Sequence, residues 1–361
     1  MWDHFPSDIL LSIFYRLSVK EVIRFTLINK SFYQLIHSKF FVDAYNQQAL
    51  LNGTNPPLIL VSFILREKYS LHYESDNKEL QECVPLPLPF RNPKNCAMVS
   101  YCNSLVCVYH HVCKEFILWN PYIQKALTLP KPSYIDDHSF FGFGFVNETS
   151  DYKVLMINQT NQAELYSLQH NCWKILANRA PFSTFIPHLI CVKVHGLICV
   201  KGSLYWIATK ADQTVMGVFD LKHEVFGEIS LPDCWNAVKP SSLELTKHTD
   251  LSIAVVKGSR HNVNADIQVI DLTNEKKWKW RKYSSAEGSL WNGTMCLVHL
   301  NEKGETTVQR EYARRIHTRP KQFIGFGNAY KYVNNLALLD KACEPSTPFK
   351  RRKAGESSPA A

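Results

Sequence analysis

The residue types best suited to chemistry gather at Cys102, Cys107, His110, His111 and Cys113. Thiolates and imidazoles are zinc ligands, but the spacing is not the paired CxxC of a structural zinc site. Strand alternation sets Cys102 and Cys107 on opposite faces unless a turn intervenes, so buried thiols are the plainer reading. Phe141-Gly142-Phe143-Gly144-Phe145 spaces its glycines like the start of a phosphate loop. It lacks the helix and the Lys-Ser/Thr pair that phosphate binding requires, and reads as a tight strand turn. No Gly-x-Ser-x-Gly elbow occurs. Trp278-Lys279-Trp280-Arg281 has the aromatic and basic residues that stack on nucleic acid. Alternation, however, puts both tryptophans on one face and the cations on the other, the pattern of a half-buried outer strand. No cofactor, no metal and no catalytic residue are expected.

The elements that hold these residues are short. After Tyr45 the chain runs as brief apolar segments between turn residues, such as Leu105–Tyr109, Val154–Ile157, Leu204–Ile207, Val215–Phe219 and Leu251–Val256. They are rich in Val, Ile, Tyr, Phe and Trp, as strands are. One pattern recurs: an apolar–aromatic pair, a turn, then a second apolar or aromatic pair. Leu118-Trp119-Asn120-Pro121 leads to Ala126–Pro130, and Leu165-Tyr166 leads to Trp173. Val218-Phe219-Asp220-Leu221 leads to Val225–Pro232, and Val269-Ile270-Asp271-Leu272 leads to Trp278-Lys279-Trp280. Leu71-His72-Tyr73 with Val84-Pro85-Leu86 is a weaker first copy. The steps His72–Trp119 and Trp119–Tyr166 are 47 residues each; Tyr166–Phe219 is 53 and Phe219–Ile270 is 51. That is roughly the 40–50-residue period of a propeller blade. Each copy reads as the outer hairpin of a four-stranded blade, with inner strands at Asn103–Cys107 and Gly202–Trp206. Residues 58–340 are then an all-β propeller of about six or seven blades, with Leu336–Leu339 as a last strand.

The start of the chain differs. Pro6 suits a first helical turn, and Ser7 and Asp8 favour a helix start. Ile9, Leu10, Ile13, Phe14 and Leu17 recur at helical spacing. Ser18 caps a second helix with Val19, Val22, Ile23 and Phe25; Asn29 caps a third with Phe32, Tyr33, Leu35 and Ile36. Three helices in about forty residues rarely stand alone, and apolar residues on more than one side require burial from more than one side. The fold class is therefore α+β and multidomain: helices at 3–45, a linker at 46–57, sheets at 58–340 and a disordered basic tail at 341–361.

The 361 residues carry a net charge of +9 and eleven cysteines. An odd, scattered count points to free thiols in a reducing compartment. No eighteen-residue apolar run and no signal peptide are evident, so cytoplasm or nucleus is expected and no membrane partner. The positive excess sits late, at Lys276–Lys282, Arg310–Lys321 and Lys350-Arg351-Arg352-Lys353. Solvated loops and tail explain it better than nucleic acid, which is not an expected partner; the tail also has the composition of a nuclear-import signal.

Residues 5–36 resemble an F-box of the plant type. Arg16-Leu17, Val19-Lys20, Arg24-Phe25 and Lys30-Ser31 match in register, while Phe5, Ser18 and Phe32 stand where Leu, Pro and Trp are usual. The body resembles the plant F-box-associated domain, a Kelch-like propeller. The resemblance is carried by Cys102–Cys107 (Ser104 where glycine is usual), Ile117–Pro121, Phe141–Phe145, Asp151–Val154, Glu164–Leu168 with Trp173, Gly202–Trp206 and Phe219–Pro232. It implies a non-catalytic substrate receptor of a Skp–cullin–F-box ubiquitin ligase. The helices would dock on the Skp-type adaptor and through it a cullin, and the propeller would hold a target protein. Pro6, Ile9, Leu10, Ile13, Leu17, Val22, Phe25, Lys30 and Phe32 are the implied adaptor-side residues, some of them shared with the small core. Leu10→Ala with Phe25→Ala is expected to abolish adaptor binding and spare the propeller. The alternatives are a Kelch-like propeller enzyme with a site on the ring axis, and a scaffold or RNA-binding propeller acting outside a ligase.

Overall fold

The computed structural model describes residues 7–52, 58–63, 68–74, 79–86, 96–136, 139–182, 197–235, 238–249, 251–257, 266–273, 280–282, 296–300, 306–310 and 323–341. Pro6, Trp278, Lys279, most of the late basic clusters and the tail lie outside them.

Four helices open the chain: α1 (Ser7–Phe14), α2 (Val19–Phe25), α3 (Lys30–Ile36) and α4 (Lys39–Asn52). Ser18 and Asn29 cap α2 and α3 as expected. The Ser18 and Glu21 groups form a reciprocal capping box, and Asn29 Oδ1 accepts the Phe32 N–H at 2.7 Å. The fourth helix exceeds the three expected and runs through residues 46–52 of the segment 46–57 read from sequence as linker. Its apolar residues do not keep to one stripe: Phe41, Val42 and Tyr45 are buried while Phe40 and Leu51 are exposed. A capping signal was present, since Ser38 Oγ accepts the Phe41 N–H at 3.2 Å. Among the described residues no helix is long and apolar enough to cross a membrane.

The body is antiparallel β-sheet. The first four-stranded sheet holds β4 (Cys96–Cys102), β5 (Leu105–His110), β6 (Glu115–Asn120) and β7 (Lys125–Thr128). The second holds β8 (Phe140–Val146), β9 (Asp151–Ile157), β10 (Ala163–Ser167) and β11 (Cys172–Ile175). The third holds β12 (Ile198–Val200), β13 (Ser203–Lys210), β14 (Gln213–Asp220) and β15 (Val225–Ser230). The fourth holds β16 (Leu243–Thr249), β17 (Ser252–Lys257), β18 (Asp266–Asp271) and β19 (Trp280–Lys282). In every sheet the sequence repeat falls on the third and fourth strands, the phase that the aromatic pairs indicate. The first strands β4, β8, β12 and β16 lie against one another in chain order. Cores form between neighbouring sheets, with Phe116, Phe143 and Tyr166 between the first two and Phe182, Trp206 and Phe219 between the second and third. Met216, Trp235 and Ile270 fill the space between the third and fourth. Stacking of this kind buries both faces of each sheet, which no sheet achieves alone.

Ends of the body meet in a six-stranded set. The early strands β1 (Leu58–Phe63), β2 (Lys68–Glu74) and β3 (Glu79–Leu86) join β20 (Cys296–Leu300), β21 (Thr306–Arg310) and β22 (Phe323–Tyr332). The order is β1-β2-β3-β21-β20-β22, and β22 pairs back to β1 with Leu60 opposite Tyr330. The described residues thus form four four-stranded sheets and this set; a count of six or seven blades is not reached among them.

Two expectations change. Leu336–Leu339 is a buried turn after β22 rather than a strand, with Leu338 at φ +74°. The Phe141–Phe145 glycines lie within strand β8, not at a turn. A Cβ on Gly142 would stand 2.5 Å from Leu204 Cδ1, so the third sheet packs directly on the β8 backbone.

Candidate functional site

The helical unit presents an apolar surface outward and closes its core from behind. Phe14, Val19, Val22, Phe32, Ile36, Phe41, Val42 and Tyr45 form that core. Phe14 touches Phe25, Phe32 and Phe41 at ring-centroid distances of 5.2, 5.4 and 6.1 Å. The Tyr45 hydroxyl donates to Leu17 O at 2.7 Å, and burial pushes its pKa well above the ordinary phenol value.

A strap at 333–341 supplies the rear wall. Leu336 and Leu339 enter the helical core, while Ala337 and Leu338 enter the core between the first two sheets. Buried amides fix it in place. Asn335 Nδ2 donates to Asn103 O at 3.1 Å, and Asn335 Oδ1 accepts the Ala337 N–H at 3.0 Å. Asn120 Nδ2 donates to Ala337 O at 3.0 Å, while Asn120 Oδ1 accepts from the Tyr332 hydroxyl at 3.0 Å. On the helical side Asn46 Oδ1 accepts the Leu336 N–H at 2.7 Å. Ser104 sits at φ +80° in the β4–β5 turn, a conformation that favours glycine, and its hydroxyl donates to Val333 O. The departure from glycine at this turn therefore has a partner in the strap. From the sheet side the β6–β7 turn adds Tyr122 and Ile123 to the helical core, and Lys20 Nζ lies 5.7 Å from the Tyr122 ring centroid.

With the rear closed, the front remains. Ile9 and Ile13, one turn apart on α1, are exposed; so are Ile28, Tyr33 and, at 86 %, Leu27. Of the residues implied by resemblance, Ile9, Ile13 and Lys30 are exposed, and Leu10, Leu17 and Phe25 are half-buried against the core. Val22 and Phe32 are sealed within it and reach a partner only through the shape they give the helices. Pro6 lies outside the described residues. Leu27 and Ile28 add to this exposed apolar surface from the loop between α2 and α3, where helical periodicity gives no guide.

The cysteine–histidine group does not converge. Cys107 is sealed between the first two sheets, Cys113 is exposed at the far hairpin, and His110 Nδ1 accepts the Cys113 N–H at 3.1 Å. The Asn103-Ser104 turn brings Cys102 and Cys107 to the same core, the exception that the strand-alternation reading allowed. Among the described residues no three His, Cys, Asp or Glu side chains gather as metal ligands. Trp280 packs half-buried against the core between the third and fourth sheets, with Nε1 donating to Ser230 O at 2.8 Å.

Comparison with known proteins places both regions. Residues 2–43 match the model of the F-box domain, and residues 58–312 match that of the F-box associated beta propeller domain. F-box protein At2g21930 of Arabidopsis thaliana is 23% identical over 337 residues, covering 86% of this chain and 80% of its own. F-box protein DOR of the same plant is 26% identical over 319 residues, 81% and 77% of the two chains. Putative F-box protein At1g47790 is 27% identical over 245 residues, covering 63% of this chain and 59% of its own. A solved complex of SapL1 lectin with alpha methyl fucoside aligns at TM-score 0.34 and 12% identity over 71% of this chain and 89% of that one, too distant to bear on function.

Proposed function

The chain belongs to the plant F-box proteins with an F-box-associated β-propeller domain, and from that premise we propose that it is a substrate receptor of a Skp–cullin–F-box ubiquitin ligase. The α1 and α2–α3 surface docks on a Skp-type adaptor, which links it to a cullin. The propeller, Kelch-like and completed to six or seven blades, holds a target protein. The receptor performs no chemistry itself; it acts by holding the target close to a transfer centre carried by other subunits. The cytoplasm and nucleus are where it works.

The observation that carries this reading is the exposure of Ile9, Ile13 and Leu27 on a helical unit whose opposite side is already filled by the strap. Exposed apolar residues on so small a unit mark an interaction surface. The test is co-purification with a plant Skp-type adaptor and cullin. Ile9→Asp with Leu27→Asp should weaken adaptor binding at least about a hundredfold, equal to about 2.7 kcal/mol, the size of an interface hot spot. These positions are outside the core, so circular dichroism and the melting transition should not change. Full adaptor binding by the double variant would refute the docking face.

A further inference from the structure

The two ends of the first and second four-stranded sheets are unlike. At one end the β4–β5, β6–β7 and β8–β9 turns meet the strap and the helices, through Ser104, Tyr122 and Ser150, which accepts from Gln47 at 3.0 Å. At the other end the β5–β6 turn leaves Val112 71 % exposed, and the connection from β7 to β8 leaves Tyr134 49 % exposed. The backbone that carries Tyr134 is nevertheless tightly held. Glu164 of β10 is fully buried, and its Oε1 and Oε2 accept the Tyr134 and Ser133 N–H groups at 2.8 and 3.0 Å. A buried carboxylate is costly unless its oxygens are bonded, and here both bind the backbone of a surface segment. Asn158 Nδ2 donates to Tyr134 O at 3.3 Å, and Asp136 Oδ2 accepts the Gln159 N–H at 3.0 Å. These bonds fasten the connection to the β9–β10 turn. That turn is in turn fastened to the segment after β11: Asn161 O accepts the Ala180 N–H at 2.9 Å, and Asn161 Nδ2 donates to Phe182 O at 2.6 Å. Towards the first sheet, Lys131 pairs with Glu115, beside the β5–β6 turn, at 3.3 Å. The loops at this end thus form one fixed surface, with Tyr134 and Val112 as its apolar points.

We propose, on the basis of the receptor reading, that the target protein docks on this surface, through a segment with an apolar or aromatic anchor flanked by carboxylates. Tyr134 and Val112 supply the apolar contact, and tyrosine is among the residues that dominate interface energetics. The Tyr134 segment is ordered before any partner arrives, so its ordering cost falls on folding rather than on binding. Glu164 is a positioning residue: it touches no partner and fixes the backbone from which Tyr134 projects. Charge sets the flanks. The acids at this end are engaged, Asp136 by the Gln159 N–H and by the Ser139 hydroxyl at 2.9 Å, and Glu115 by Lys131. Arg179, next to the fastened Ala180, stands exposed, as does Lys131. Outward cations favour an acidic partner segment and oppose a basic one. A target held here also leaves Ile9, Ile13 and Leu27 clear, because the helical unit packs on the opposite end of the sheets.

The experiment selects a displayed library of random peptides on the full-length chain, then measures synthetic copies of the enriched peptides by fluorescence anisotropy. They should carry an aromatic or large aliphatic residue flanked by Asp or Glu, and their binding should weaken as salt is raised. Hydrogen exchange should show protection at 131–136 when they bind. Val112→Ser with Tyr134→Ser should weaken them at least about tenfold and leave the melting transition unchanged, since both positions are exposed. Glu164→Gln should lower the association rate more than it raises the dissociation rate, as loss of a pre-ordered segment requires; if that variant fails to fold, the exposed double variant still decides. Enriched peptides that are basic, that bind the double variant as well as wild type, or that are matched by a single-stranded oligonucleotide of equal charge would overturn the proposal, as would a selection that enriches none. Adaptor co-purification with the double variant separates the two readings. A retained adaptor complex with peptides bound elsewhere rejects this surface and keeps the receptor; no adaptor complex with peptides on this surface does the reverse.

Discussion

In the helical unit, Phe14, Val22 and Ile36 are covered by Leu336 and Leu339 from the far end of the chain, whereas each intersheet core is covered by the next sheet along. The first arrangement happens once and depends on a single strap. The second repeats, and so do its fastenings. Trp173 Nε1 donates to Pro130 O at 2.6 Å, from the outer strand of the second sheet back to the first. Trp280 does the same from the fourth to the third. Lys153 Nζ donates to Leu221 O at 2.8 Å and Lys201 Nζ to Leu272 O at 3.1 Å, each reaching forward to the next sheet at the equivalent position after its third strand. A repeating scheme spreads its stability over many equal contacts; a unique one concentrates it.

Breaking the unique contact should therefore have the largest effect. Leu336→Ala with Leu339→Ala removes two buried leucines, each expected to cost about 2–5 kcal/mol. Hydrogen exchange should show α1–α4 losing protection first while β9 and β14 keep theirs. Uniform loss across both regions would remove the distinction. An intermediate effect belongs to the repeated fastenings. Trp173→Phe keeps the ring contacts with Phe116 and Tyr166 but loses one hydrogen bond, at about 1 kcal/mol. Trp280→Phe should cost about the same in urea unfolding, and the two losses should add, since they lie at separate intersheet junctions.

The smallest effect sharpens the comparison through pH. Glu224 joins the third sheet to the second, accepting from Lys153 at 2.9 Å and Lys174 at 2.7 Å. Burial by itself would raise its carboxyl; the two lysine hydrogen bonds outweigh that and hold it below the ordinary 4.5. A depressed folded value means the pairing stabilises fully above the ordinary pKa and is lost as pH falls through the folded value. Glu224→Gln should lower stability modestly at neutral pH, where the half-buried pair is fully formed, and flatten the fall in stability below about pH 4.5, because the titrating carboxyl beside the buried Lys153 is gone. An unaltered acid limb would show that the pair carries no linkage.

Much of this protein was legible from local pattern. Capping by Ser18 and Asn29 was readable because a cap is satisfied within three residues. The blade phase was readable because the aromatic pairs fall on the third and fourth strands of each sheet. Asn120 within Leu118-Trp119-Asn120-Pro121 marked a motif without disclosing its role, since its partners Tyr332, Asn335 and Ala337 lie more than two hundred residues away. Helix α4 was missed because its apolar residues face two different neighbours and so break the period.

The sequence by itself determined the helical start, the strand-rich body, its repeat length and the two family resemblances, since each rests on contacts between near neighbours or on a repeated spacing. Only the tertiary structure decided that Leu336 and Leu339 complete the helical core, that Ile9, Ile13 and Leu27 are left exposed, and that Asn120 is tied to Tyr332 and Ala337. The physical reason is common to all three: burial and side-chain pairing are properties of whatever segment arrives from elsewhere in the chain, and no local pattern specifies which segment that is.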